Sequence, residues 1–202
     1  MGSIEFFFQD LGFSFTFSKV FAYSLYPLIG LLIWVVFRKK INKKWLKIST
    51  LLVSILIPFF AYFAFNPIYS GDFSNNSELL KVKSELDAYQ APKLIVVSIP
   101  NCPYCQESVG RMIELRKRFP KIDVEYVVCV NDTLADKAIE SYKELSQNKL
   151  SIRQAKESEK LGNMVHMSFP TFVLITNSKK LMWSNDNFGV GALDEVVETF
   201  EN

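Results

Sequence analysis

Six consecutive residues, Pro100-Asn101-Cys102-Pro103-Tyr104-Cys105, constrain this chain more than any other stretch. They follow the apolar run Leu94-Ile95-Val96-Val97-Ser98-Ile99, which reads as a buried strand over residues 92–99. They lead into residues 107–118, where Met112, Leu115 and then Phe119 recur at helical spacing until Pro120 stops the pattern. Strand, Cys-x-x-Cys, helix is the context in which two cysteines form a redox pair. Cys102 falls at the helix N-terminus, where unpaired backbone N–H groups and the helix dipole favour a thiolate. Cys105 lies one turn in on the same side, within reach to resolve a mixed disulfide. Pro103 suits the first turn, which does not need its missing N–H. Cys102 is the expected nucleophile and Cys105 the expected resolving cysteine.

Far along the chain, Ser168-Phe169-Pro170-Thr171 opens a further strand over residues 171–176, and Val190-Gly191-Ala192-Leu193-Asp194 introduces a closing helix over 192–200. In this order the three motifs make residues 77–202 resemble the thioredoxin superfamily. The resemblance implies an α/β thioredoxin-like domain, a central mixed sheet flanked by helices, with Pro170 cis and facing the cysteines. It also implies that Phe169 is extended, its backbone free to pair with a bound peptide. Phe169, Pro170, Pro103 and Tyr104 are the expected substrate-binding residues. Pro103-Tyr104 is similar to the dipeptide of glutaredoxins, and Asn101 replaces the tryptophan that precedes the first cysteine of thioredoxins. Gly189 and Gly191 are wrongly spaced for a glutathione site, so no cofactor is expected. Val96 stands about where thioredoxins keep a buried acid.

The bland alternatives for the cysteines are a structural disulfide and a zinc site. Cys102, Cys105, Cys129 and His166, the chain's only histidine, would make a Cys3His set, but the spacing lacks a second knuckle and no metal is expected. Three cysteines are too few for a disulfide-stapled scaffold. Cys129 falls within the strand pattern 124–130 and reads as core, and His166 reads as a loop residue.

The first third of the chain is of another kind. Residues 1–19 hold Phe6, Phe7, Phe8, Phe13, Phe15 and Phe17, an aromatic segment that either rests at a membrane interface or simply leads into the apolar run after it. Residues 20–37 are uncharged and apolar, long enough for a tilted membrane span. A signal peptide needs its positive charge ahead of the apolar run, whereas Arg38-Lys39-Lys40 comes behind it. After a loop with six positive charges in ten residues (38–47), a second apolar run covers 48–65. Residues 20–65 are therefore expected to form a two-helix transmembrane hairpin. The positive-inside rule places its basic loop in the cytoplasm and both flanks outside. That predicts a two-pass protein of the cell (inner) membrane with residues 77–202 extracytoplasmic (periplasmic), where disulfides persist. The net charge of +2 offers no general field for nucleic acid.

Residues 66–76 read as a linker, 77–89 as a helix with Leu79, Leu80, Val82 and Leu86 on one face, and 180–184 as a strand. The charged segment 131–169 is longer than a minimal thioredoxin needs and is expected to hold one or two inserted helices, either a solvated elaboration or a partner-recognition surface. The expected function is a membrane-anchored extracytoplasmic thiol–disulfide oxidoreductase acting on protein cysteines. The alternative is an accessory subunit of a larger membrane complex. The two apolar runs contain no cysteine, so electrons must come from or go to a separate redox partner, membrane-bound or soluble.

Overall fold

The computed structural model describes residues 3–68, 71–73, 75–81 and 84–201, and the chain divides into two compact units between residues 69 and 70. The first unit is helical: α1 (Ser3–Asp10), α2 (Phe15–Phe37), a short 3-10 turn at Arg38–Lys40, and α3 (Lys44–Phe65). Both apolar runs thus begin earlier as helices than their composition predicts. Ser14 caps α2 by accepting the Phe17 N–H at 3.2 Å, which carries the helix back into the aromatic segment. α2 and α3 are long and apolar enough to cross a bilayer. Neither Pro27 nor Pro58 ends its helix.

α2 and α3 pack side by side, and Gly30 lets their backbones come close: a Cβ there would overlap the backbone of Ser54 and Ile55. At one end of the pair, Trp34 donates its indole N–H to the Lys47 carbonyl (3.1 Å) beneath the Arg38 guanidinium. At the other, Tyr26 stacks on Tyr62, whose hydroxyl donates to the buried carboxylate of Glu5 at 3.0 Å and so holds α1 to the hairpin. Gly30→Leu is expected to force the helices apart at a cost of about 1–3 kcal/mol, the usual penalty of overpacking. Spin labels on α2 and α3 of the full chain in detergent would read the wider separation, and an unchanged distance would show that the contact is dispensable.

The second unit is built on a six-stranded sheet in the order β1-β6-β5-β2-β3-β4. Its elements are β1 (Glu78–Leu79), β2 (Lys93–Ser98), α4 (Pro103–Arg118), β3 (Val124–Val128), α5 (Asp132–Leu145) and β4 (Ser151–Gln154). They continue with α6 (Ser158–Met164), β5 (Thr171–Ile175), β6 (Lys180–Ser184) and α7 (Val190–Glu201). β2, β3 and β4 run parallel, whereas β5 is antiparallel to β2 and β6 to β5, so the sheet is mixed. One face gathers Ile95, Val97, Val127, Val173 and Met182 with Leu161 and Val165 from α6 and its end. The other carries Leu94, Val96, Tyr126, Phe172 and Leu174, against which α4 lays Ser108 and Arg111. Alternate side chains of β2 go to opposite faces and both faces are covered, which explains why its residues 94–97 are all apolar.

Two expectations are corrected. Residues 77–89 do not form a helix: Glu78–Leu79 pairs with Met182 and Leu181 as an edge strand, and Glu85–Ala88 is a 3-10 turn. Ser84 and Asp87 form a capping box that starts the turn afresh, and Leu79, assigned to a buried face, is 57% exposed while Leu86 is fully buried. Val82 of that expected face, like parts of the expected linker, lies outside the described residues. Segment 131–169, expected to hold one or two helices, contains α5 and α6, but between them runs β4, an integral edge strand paired with β3.

Candidate active site

Sheet topology assembles the site. Because β5 runs antiparallel to β2 with Thr171 opposite Val97, the residues leaving β2 and those entering β5 meet at one end of the sheet. Asn101 takes a left-handed backbone (φ 55°), which asparagine tolerates, and turns the chain into α4. Cys102 is the N-cap of α4, its sulfur receiving the Cys105 N–H at 3.2 Å, and Pro103 opens the first turn. The two cysteines form a disulfide with Cα atoms 5.2 Å apart. Cys105 is fully buried, Cys102 half-buried and Tyr104 62% exposed, so an incoming group meets Cys102.

Across from them, the Phe169–Pro170 peptide is cis, and the Phe169 carbonyl oxygen lies 3.9 Å from the Cys102 sulfur. The β5 ladder begins only at Thr171, which leaves the backbone of Phe169 outside it. Pro170 is buried and Phe169 half-buried. A mixed sheet, a cysteine pair at the helix after its central strand and a cis-proline opposite complete the pattern. This is a thioredoxin-like fold.

No family model matches the chain, and no curated protein matches it. Among solved structures it is similar to a secreted Mycobacterium tuberculosis disulfide oxidoreductase homologous to E. coli DsbE, at 13% identity over 53% of this chain and 80% of that one (TM-score 0.41). It is also similar to StoA from Bacillus subtilis, at 15% identity over 61% of this chain and 97% of that one (TM-score 0.43). A thioredoxin-like protein solved in its oxidized form matches at 12% identity over 64% of this chain and 95% of that one (TM-score 0.42). Likenesses this distant decide neither family nor activity, and the chemistry rests on the chain's own geometry.

Beneath the disulfide the thioredoxin-like fold is lined by hydroxyls. Val96 is fully buried, level with Tyr126 and Phe172 on the neighbouring strands, and supplies no carboxylate there. Ser108, also fully buried, donates to the Cys105 carbonyl at 2.6 Å and shares a 2.8 Å hydrogen bond with the Tyr126 hydroxyl. Burial pushes the Tyr126 phenol well above its usual value although its hydrogen bond with Ser108 opposes the shift, so it stays neutral. Tyr142 of α5 donates to the Ile99 carbonyl at 2.8 Å, tying α5 to the loop that leads to the cysteines.

The four zinc candidates are not brought together. Cys129 belongs to the opposite sheet face, and the His166 imidazole sits 3.4 Å from the Glu78 carboxylate. Among the described residues no group of three or more His, Cys, Asp or Glu side chains is placed to hold a metal. Burial, with the nearby Glu85 charge adding and Arg153 opposing, pushes the Cys129 thiol up to about 11, which makes it a poor nucleophile. Sequence reasoning missed Ser108 and Tyr126, because their hydrogen bond joins residues of different elements that meet only in the fold.

Proposed function

We propose that the chain is a thiol–disulfide oxidoreductase acting on protein cysteines through Cys102 and Cys105. We further propose that α2 and α3 anchor it in the cell membrane as a two-pass hairpin, with residues 77–202 on the extracytoplasmic side. The observation that carries the reading is Cys102, half-buried at the N-terminus of α4, in a disulfide with the fully buried Cys105 and with its sulfur 3.9 Å from the Phe169 carbonyl oxygen. A structural disulfide needs no helix N-terminus and no strand-edge backbone beside it. The anchor and its orientation rest on the two apolar helices and on the basic residues between them.

In the oxidising direction a substrate thiolate attacks the Cys102 sulfur. The Cys102–Cys105 bond breaks, its electron pair leaves on Cys105, and that thiolate takes up a proton. A second substrate thiolate then attacks the substrate sulfur of the mixed disulfide and releases Cys102 as a thiolate, stabilised by the Cys105 N–H and the helix dipole. The substrate gains one disulfide and the protein gains two thiols. The same steps reversed reduce a substrate disulfide. Since α2 and α3 carry no cysteine, a separate membrane-bound or soluble redox partner must restore the starting state, and tethering in the same bilayer raises the effective concentration of a membrane-bound one.

The oxidised full chain in detergent is expected to pass its disulfide to a peptide dithiol while Cys102 and Cys105 become alkylatable. Absence of exchange with any peptide dithiol would overturn the reading. Acid-quenched cells, with free thiols tagged by a mass label, bear on the direction: a reduced pair identifies a reductase, and an oxidised pair a disulfide donor or an accessory subunit whose bond is never used.

A further inference from the structure

α1 is built inside out. Its Glu5 is turned inward and only 1% exposed, the carboxylate accepting the Tyr62 hydroxyl of α3, whereas Phe7 stands 59% exposed on the outside. The pattern continues through the turn into α2, where Ser18 and Lys19 are buried while Leu11, Phe13, Phe17 and Phe21 are exposed. The Phe13 N–H donates to the Phe8 carbonyl at 3.1 Å and fixes that turn. The rings form one surface: Phe8 packs edge-on against Phe21 with centroids 4.4 Å apart, Phe13 stacks on Phe17 at 4.9 Å, and Phe17 on Phe21 at 5.9 Å. A helix against water hides its apolar side and displays its charges, so a buried carboxylate beneath exposed phenylalanines is the reverse arrangement. Eight residues are also too few to stay helical on propensity alone, so α1 owes its form to what it touches.

We infer that α1 and the turn after it are a third membrane-binding element, their aromatic surface covered by lipid where headgroups meet acyl chains in one leaflet. The inference rests on the reading of α2 and α3 as a membrane hairpin and goes beyond it. Continuity identifies the occupant. Phe17, Phe21, Leu28 and Leu32 follow one another at helical spacing along one side of α2, and all are exposed. The aromatic surface is therefore the upper part of the stripe that the hairpin reading gives to lipid. Its depth follows from its neighbours: α1 packs at the end of the hairpin where Tyr26 stacks on Tyr62 and Tyr23 donates to the Asn66 carbonyl, opposite the basic turn 38–47. Tyrosines favour the boundary between headgroups and hydrocarbon. Glu5 obeys the rule for ionisable groups near lipid, facing the helix bundle with a hydroxyl partner, and Asp10, exposed at the last residue of α1, is left to the water. An aromatic helix lying in one leaflet fixes the depth at which the adjoining ends of α2 and α3 leave the bilayer.

The test places nitroxide spin labels on the oxidised full chain in vesicles of equal parts phosphatidylcholine and phosphatidylglycerol. Phe7→Cys and Phe17→Cys carry the label on the aromatic surface, Leu32→Cys carries it on the exposed side of α2, and Asn42→Cys carries it in the basic turn. Cys102 and Cys105 are locked in their disulfide and Cys129 is buried, so the label goes to the new cysteine. Collisions with oxygen, which concentrates in hydrocarbon, are compared with collisions with a water-soluble nickel chelate present on both sides of the bilayer. At Phe7 and Phe17 oxygen should exceed the chelate several-fold, by less than at Leu32, and at Asn42 the order should reverse. A chelate excess at Phe7 and Phe17 beside an oxygen excess at Leu32 would show the surface facing water and overturn the inference while the hairpin stood. Low collision rates with both reagents, together with broadening between labels, would mean that a second copy covers the surface, which overturns it equally. A chelate excess at Leu32 would remove the hairpin reading and the inference with it.

Discussion

Cys105→Ser is expected to convert the protein into a trap: its partners should accumulate as mixed disulfides on Cys102, visible on non-reducing gels and lost on reduction. Cys102→Ser should form no such adducts, and both substitutions should lower turnover by roughly a thousandfold or more, as removal of one member of a catalytic unit does. The asymmetry follows from position. Cys102 is half-exposed at the helix N-terminus and accepts the Cys105 N–H, whereas Cys105 is fully buried beneath the first turn of α4. A substrate sulfur approaching along the line of attack reaches only Cys102, and only the thiolate favoured by the helix end is nucleophilic. Adducts formed through Cys105 in the Cys102→Ser chain would reverse the assignment. If the double serine variant still supported every cellular process that depends on the protein, the chain would instead be an accessory subunit whose disulfide is not used.

How far the sequence discloses these features depends on whether a pattern is local. The redox turn could be read directly, since an apolar run, Cys-x-x-Cys and a helical period lie within thirty residues of one another. The two apolar helices were legible for the same reason. What failed was long-range. Ser151-Ile152-Arg153-Gln154 has no apolar run because β4 is an edge strand with its residues only partly buried, and nothing in it announces that Ala155 will donate to Val128 in the neighbouring strand. Residues 77–89 show a helical period in Leu79, Leu80 and Leu86, but pairing of Glu78 and Leu79 with β6 overrode local preference. At the site, Pro170 and Phe169 were named from a resemblance, whereas Ser108 and Tyr126 could not be, because the hydrogen bond they share exists only once α4 has packed against the sheet.

Arg153→Met is expected to lower the stability of the second unit by about 3 kcal/mol, at the upper end for hydrogen bonds to a charged group. Glu125 of β3 is 7% exposed and is satisfied by three neighbours: the Tyr89 hydroxyl at 2.5 Å, the Arg153 Nε at 2.9 Å and the Lys93 Nζ at 2.9 Å. Arg153 comes from β4 and Lys93 from β2, so this one carboxylate joins three adjacent strands and fixes the edge strand that composition conceals. Losing Arg153 leaves Lys93 and Tyr89 in place, so the penalty stays below that of a bare buried charge. The same cluster makes stability depend on pH. Burial would raise the Glu125 pKa, but hydrogen bonds from Tyr89 and Lys93 and the charges of Lys93 and Arg153 outweigh burial and hold it below the usual carboxylate range. A carboxyl lowered on folding contributes its full stability above the unfolded value, about 4.3 for glutamate, and loses it as pH falls through the lower folded value. Lys93 has the opposite sign: burial lowers its pKa, hydrogen bonds to Asp123 and Glu125 raise it further than burial lowers it, and its contribution is lost only as pH rises through that raised value. Thermal midpoints of the full chain in detergent, followed by loss of the β-sheet infrared signal, should therefore fall on acidification below about pH 4.3. Glu125→Gln should start from a lower midpoint at neutral pH and show a shallower acid decline, because the group that must be protonated is gone. Parallel acid limbs in the two proteins would mean that other carboxylates carry the acid sensitivity and that Glu125 contributes geometry alone.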